Sequence, residues 1–165
     1  MKIGVHNTGS KGALLDEYVK AIHELIGVLS GISDSDLIEI VDFDTKDSDC
    51  RSIQTLLSHV VHSAFGYAHY IYVHKGHSNV RPEKTKHTNV GEYIRDLEKI
   101  IPFNKIVFAD IRDPELEEFD NDLKIKVPWG QIYDIEQLME HAIVHILKHR
   151  RQIERFKLIL NEHRA

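Results

Sequence analysis

Cysteine is almost absent from this chain: Cys50 is the only one among 165 residues. An intramolecular disulfide is therefore excluded, and a reducing, cytoplasmic setting is expected. Long apolar runs are missing too. None approaches the roughly 20 residues needed to cross a bilayer, and residues 1–7 lack the apolar core of a signal peptide. Nor is there an excess of basic charge, since 21 Lys and Arg stand against 26 Asp and Glu, a net charge of −5. That balance argues against a nucleic-acid partner, which is ordinarily met by a basic face. No internal repeat and no shift of composition marks a second domain, so residues 1–165 are read as one. With 42% apolar and 28% charged residues, the chain has the make-up of an ordinary globular protein.

What the chain has in excess is histidine, twelve in all. Three of them recur every four residues in Met139-Glu140-His141-Ala142-Ile143-Val144-His145-Ile146-Leu147-Lys148-His149, a stretch free of Gly and Pro. Residues four apart stack on one helical face with Cβ atoms ~5–6 Å apart, so neighbouring histidines of this ladder can ligate one metal ion. Histidine is also the commonest metal ligand.

Apolar spacing lays out four helices. Ser10 is a candidate N-cap for the first, which carries Ala13, Leu14, Tyr18, Ala21, Ile22, Leu25, Ile26 and Leu29 and ends at Gly31. Residues 33–36 look like a second, short start, and residues 42–49 form a loop dense in aspartate. Asp49 is expected to cap the second helix, which runs to about Val73. Residues 74–88 shift to Gly, Ser, Asn, Pro and Lys, the mark of a loop, and a segment of this size spans up to ~45 Å extended, enough to run the length of a bundle. The third helix starts at Asn89. Pro102 should break it, yet Asn104, Val107, Phe108 and Ile111 keep the stripe in phase, which favours one kinked helix. Residues 115–130 are acidic and irregular, with 124–127 alternating like a short strand before Pro128-Trp129-Gly130. Asp134 then caps the last helix. The class is all-α: a four-helix bundle with long crossover connections.

Helical phase ranks the histidines, at ~100° per residue. In the last helix His149 lies inside the apolar sector of Leu138, Ala142, Ile153, Phe156 and Leu160. His145 lies at its edge and His141 outside it. In the second helix, His62 and His69 fall opposite the apolar sector and read as solvated. His59 sits on the flank, in line with Ser52, Ser63, Gly66 and Tyr70, whose small members leave room beside it. His59, His145 and His149 therefore make the expected metal triad, with open positions for Zn²⁺, Ni²⁺ or Fe²⁺. The plain alternative is that these are hydrogen-bonded core histidines. No Asp or Glu stands at an evident general-base position beside the triad. Gln152 can orient a ligand or bond within the core, Tyr70 is expected to pack rather than line a pocket, and Cys50 is expected to be incidental rather than reactive.

The pattern Leu56-Leu57-Ser58-His59-Val60, the Pro128-Trp129-Gly130 turn, and the final helix from Leu138 through His145 into His149-Arg150-Arg151-Gln152-Ile153 resemble the DinB/YfiT-like superfamily, a group unrelated to the DinB DNA polymerase. The resemblance runs from Leu14 to Phe156. It departs at Arg151, where the family often has glycine. It implies an up-down-down-up order of helices and places the family's metal triad on His59, His145 and His149, leaving His141 outside. It further implies a metal-dependent enzyme of the thiol S-transferase or hydrolase type, using a divalent metal and a low-molecular-weight thiol cofactor on a small-molecule substrate; the catalytic residues stay unassigned. The alternative is a non-catalytic stress-response or binding bundle. A homodimer is the expected assembly, with Ile143 projecting from the last helix away from its main apolar sector.

Overall fold

The computed structural model describes residues 8–78 and 80–164; residues 1–7, read above as lacking a signal core, lie outside it. Five α-helices dominate: α1 (Gly9–Val28), α2 (Asp34–Ile38), α3 (Ile53–His74), α4 (Val90–Phe108) and α5 (Ile135–Glu162). The class is all-α, with one two-residue-per-strand hairpin. None of the described helices is long and apolar enough to cross a membrane.

The four long helices pack on one core, α1 against α5 and α4, and α3 against α4 and α5. Ile22, Leu25, Leu56, Leu97, Leu138 and Ile153 are all fully buried at its centre. These are the positions that the helical spacing marks as apolar, and burying such side chains contributes roughly 1.5–3 kcal/mol each. The short helix α2 is closed by a capping box between Ser33 and Asp36 and anchored by the buried Leu37.

Two caps differ from expectation. Ser10 does not cap α1; Thr8 holds that position without a side-chain bond. Instead the Asp113 carboxylate, just beyond α4, accepts the backbone N–H of Ser10 (3.0 Å) and Lys11 (3.1 Å). Lys11 in turn donates to the carbonyl of Ile111 (2.7 Å). The start of α1 and the end of α4 thus satisfy each other's unpaired groups. Nor does Asp49 cap α3. Ser52 does, in a capping box with Thr55, which releases Asp49 for another role.

Pro102 lies inside α4 without ending it. Both Pro102 and Glu98, whose carbonyl loses its helical donor, are on the exposed side, where water can take the freed group. The helix stops at Phe108, short of Ile111, yet Ile111 remains buried.

The connection between α3 and α4 lies back along α3. Arg81 Nη2 donates to the His62 carbonyl (2.7 Å), Ser58 Oγ to the Thr85 carbonyl (2.5 Å), and Gln54 Nε2 to the His87 carbonyl (2.9 Å). Following the loop forward therefore means moving backward along α3. This explains why His62 is half-buried rather than solvated: the loop covers its face. Tyr93 Oη, near the start of α4, then reaches the Gln54 carbonyl (3.2 Å), while Phe65 meets Phe103 further along.

The segment expected as a short strand, residues 124–127, holds one and pairs it within a hairpin. β1 (Ile125–Lys126) pairs antiparallel with β2 (Ile132–Tyr133), Ile125 opposite Tyr133. Gly130 closes the turn at φ +87°, a conformation that suits glycine. The hairpin delivers Trp129 onto α3 and α5. Ile143, expected to project outward, is partly buried against the core; its neighbour Val144 is the exposed one.

Candidate metal centre

His59 comes from the second turn of α3, and His145 and His149 from successive turns of α5. Their Nε2 atoms converge: His59 to His145 is 2.9 Å and His149 to His145 is 3.2 Å, and all three lie within 4.8 Å of one another. Metal–nitrogen bonds of ~2.0–2.1 Å put two ligand nitrogens ~2.9 Å apart at a right angle and ~3.3 Å apart at the tetrahedral angle. Both measured separations match that range. The three residues singled out from helical phase are therefore brought together. His141 is left out, one turn further along, and His62 and His69 do not join the cluster.

The ring nitrogens facing away from this point fix the protonation pattern. His59 Nδ1 donates to Asp49 Oδ2 (3.1 Å), so its Nε2 presents a lone pair. His149 Nδ1 donates to Gln152 Oε1 (2.5 Å), with the same result. Gln152 is held for this by a chain: its Nε2 donates to Cys50 Sγ (3.8 Å), whose thiol donates to Asp47 Oδ2 (3.4 Å). Outer partners of this kind orient ligating imidazoles and raise their basicity.

His145 has no such anchor, for its Nδ1 is buried without a partner. Its Nε2 faces two acceptor nitrogens. Either it donates a proton to one of them and leaves Nδ1 an unpaired acceptor, or it adds a third lone pair to the same small volume. A divalent cation there would accept all three lone pairs at once, and a neutral tri-imidazole set suits Zn²⁺, Ni²⁺ or Fe²⁺. The residues fit the ion.

Protonation is disfavoured throughout the cluster. Burial, and then the neighbouring His149 and His59, bring His145 down to about 2. Burial and His59 bring His149 down to about 4. Burial also lowers His59, opposed by Asp49. All three are neutral, ligand-ready imidazoles at neutral pH.

Two carboxylates back the triad as holders of its imidazoles, a role separate from the general base that the sequence did not show. Asp49 contacts His59 directly and also holds Lys84 Nζ at 2.5 Å. Asp47 acts through Cys50 and Gln152. Both lie on the aspartate-rich loop before α3, at Asp47 and in the 3₁₀ turn Ser48–Cys50, ten or more residues upstream of His59 and invisible to helical phase. For Gln152, which the sequence left between two roles, the structure shows a hydrogen-bonded holder of His149. Burial, then Asp47, raises the Cys50 thiol, so it stays protonated and serves as a link in this chain.

Of the triad, His59 opens on a cleft of about 640 Å³. His59 and Asp49 line it on one side, and Tyr67, Tyr70, Trp129 and His141 form aromatic walls. Trp129 stacks on His141 (centroids 6.0 Å, 22°), and Tyr67 meets His141 and His145 edge-on at 5.3 and 5.5 Å. Tyr70 packs against the core, as expected, and also forms part of the wall. Arg81 and Lys84 of the α3–α4 connection, together with His62, complete the rim. Comparison of the chain with protein-family models, curated proteins and solved structures gives no match, and the reading of function accordingly rests on the geometry of this centre.

Proposed function

We propose that the chain is a divalent-metal enzyme of the DinB/YfiT-like type, a cytoplasmic thiol S-transferase or hydrolase built on a four-helix bundle in up-down-down-up order. The order is supported by contacts along the helices. Lys157 of α5 caps the end of α1 at the carbonyls of Val28 and Ser30, so those two helices run together. Gln54 meets Tyr93 and Phe65 meets Phe103, so α3 and α4 run together. His59 neighbours His149 while Tyr67 neighbours His141, so α3 opposes α5.

The observation that carries the metal reading is the convergence of three Nε2 atoms, two of them from imidazoles whose Nδ1 protons are committed to Asp49 and Gln152. A bound divalent ion would supply Lewis acidity, lowering the pKa of a coordinated thiol or water toward neutrality. The chain's part is to keep three neutral imidazoles aimed at one point, with the aromatic walls flanking the cleft. Asp49 is the only carboxylate among the residues lining the cleft, and both its oxygens are occupied by His59 and Lys84. It is not free to take a proton from substrate. That favours the transferase branch, since a thiol gives up its proton more readily than water does. For the hydrolase branch the wall offers His141, which burial keeps neutral and whose Nδ1 lies 3.5 Å from Tyr133 Oη.

Metal analysis of protein purified without a histidine tag tests the reading. One equivalent of divalent ion is expected in the wild type and far less in His145→Ala. Absence of a stoichiometric ion from wild type grown and purified with Zn²⁺, Ni²⁺ or Fe²⁺ present would overturn it.

A further inference from the structure

Arg81 holds more donor capacity than the protein uses. One of its five N–H groups goes to the His62 carbonyl, and its Nε is buried without a partner. Among the described residues no carboxylate pairs with it. The nearby Lys84 is different, being already neutralised by Asp49. Arg81 is therefore the uncommitted positive charge on the rim of the cleft.

Its position is built rather than incidental. The guanidinium lies over the Tyr70 ring at 5.9 Å and directly on Gly66, where an added Cβ would stand 2.5 Å from Arg81 Cζ and Nη2. Glycine at this place in α3 costs about 1 kcal/mol of helix stability relative to alanine, and what the missing Cβ makes room for is this guanidinium. The backbone of the crossover, tied to α3 at Ser58 and Gln54, brings Arg81 to the same cleft as His59.

We infer that Arg81 is an oxyanion-binding residue, and that the cleft takes a small molecule in which a carboxylate or phosphate is joined to a flat apolar body. The planar fork of arginine matches the two oxygens of either group, and Trp129, Tyr70, Tyr67 and His141 supply flat surfaces for the rest. The assignment of this ligand as substrate rests on the metal-enzyme reading above; the oxyanion site itself does not need the ion.

Trp129 is the chain's only tryptophan and lines the cleft, so its fluorescence reports occupancy. The full-length protein, as purified and again after chelation, is titrated with benzoate, phenyl phosphate and the neutral analogue benzamide. At least one anion is expected to bind about tenfold or more tighter than benzamide in both states, the scale of a charge-assisted hydrogen bond. Whichever anion binds tighter assigns the oxyanion as carboxylate or phosphate. Arg81→Gln should bring the ratio near one, and so should Gly66→Ala, which keeps the arginine but fills its seat. Lys86→Gln, an exposed charge on the same connection that is not among the residues lining the cleft, should leave it unchanged. The inference is overturned if benzamide binds as well as both anions, if the preference survives Arg81→Gln in a folded protein, if it appears only with metal present, or if no probe binds. Metal content measured on the same samples keeps the two readings apart: an Arg81-dependent preference in protein that never holds metal would sink the enzyme reading and leave this one standing.

Discussion

Replacing Asp49 by asparagine should harm metal binding more than replacing it by alanine, although asparagine is the closer match in shape. Asp49 Oδ2 accepts the Nδ1 proton of His59 at 3.1 Å while Oδ1 holds Lys84 Nζ at 2.5 Å. In the alanine variant His59 loses its anchor but can still turn an Nε2 lone pair toward the ion. Loss of such an outer partner ordinarily weakens metal affinity about 10- to 100-fold, or roughly 1.4–2.7 kcal/mol. In the asparagine variant the ammonium of Lys84 retains the carbonyl oxygen, which turns the amide NH₂ toward His59. Nδ1 must then accept, so the ring proton moves to Nε2 and points at the metal position. Asp49→Asn should therefore fall at the 100-fold end, and adding Lys84→Met should recover part of the loss by letting the amide rotate. Competition against a chromophoric zinc chelator at fixed pH and salt measures all four affinities. If Asp49→Asn binds within threefold of wild type, or tighter than Asp49→Ala, the account of how His59 is held is wrong.

Three further outcomes are expected. His145→Leu removes a buried, unpartnered nitrogen that ordinarily costs about 1–3 kcal/mol, so thermal melts should show the metal-free variant at least as stable as metal-free wild type, with the metal-induced rise in Tm gone. Metal-free wild type should lose stability as pH falls: His145 and His149 bind protons more weakly folded than unfolded, so the unfolded state takes up the extra protons below about pH 6.5. The stability is whole above that pH and declines below it toward the folded-state value of His149 near 4, and urea unfolding between pH 8 and 5 shows this as a falling midpoint. Asp113→Ala should cost about 1 kcal/mol, the usual worth of a helix N-cap, seen as a lower denaturation midpoint with metal affinity unchanged.

The convergence of the three histidines was legible because its signal is local and geometric. Two ligands four apart on α5 announce a shared face, and helical phase alone separated His149 and His145 from His141, and His59 from His62. The long helices were legible for the same reason, down to the passage of α4 through Pro102. What phase could not show was anything contributed by irregular chain. Asp49 looked like a cap because it preceded a helix; Ser52 lies nearer and makes a better capping box, so the aspartate was free to fold back on His59. His62 looked solvated because a helical wheel has no knowledge of a loop laid across it. Trp129 could be seen in a turn, but only the pairing of β1 with β2 shows that it stacks on His141.

The connection that returns along α3 has a consequence for how such a protein can diversify. The ligands that would hold the ion sit on two rigid helices, whereas Arg81 and Lys84 belong to the returning connection and Trp129 to the hairpin turn. The triad and the charged groups of the cleft rim are thus carried on different pieces of chain. Surface connections tolerate exchange and length change far better than packed helices do. A rewritten crossover could therefore present a new recognition group to an untouched centre, and only Gly66, on whose bare backbone the present arginine rests, would remain in the scaffold as a record of the old one.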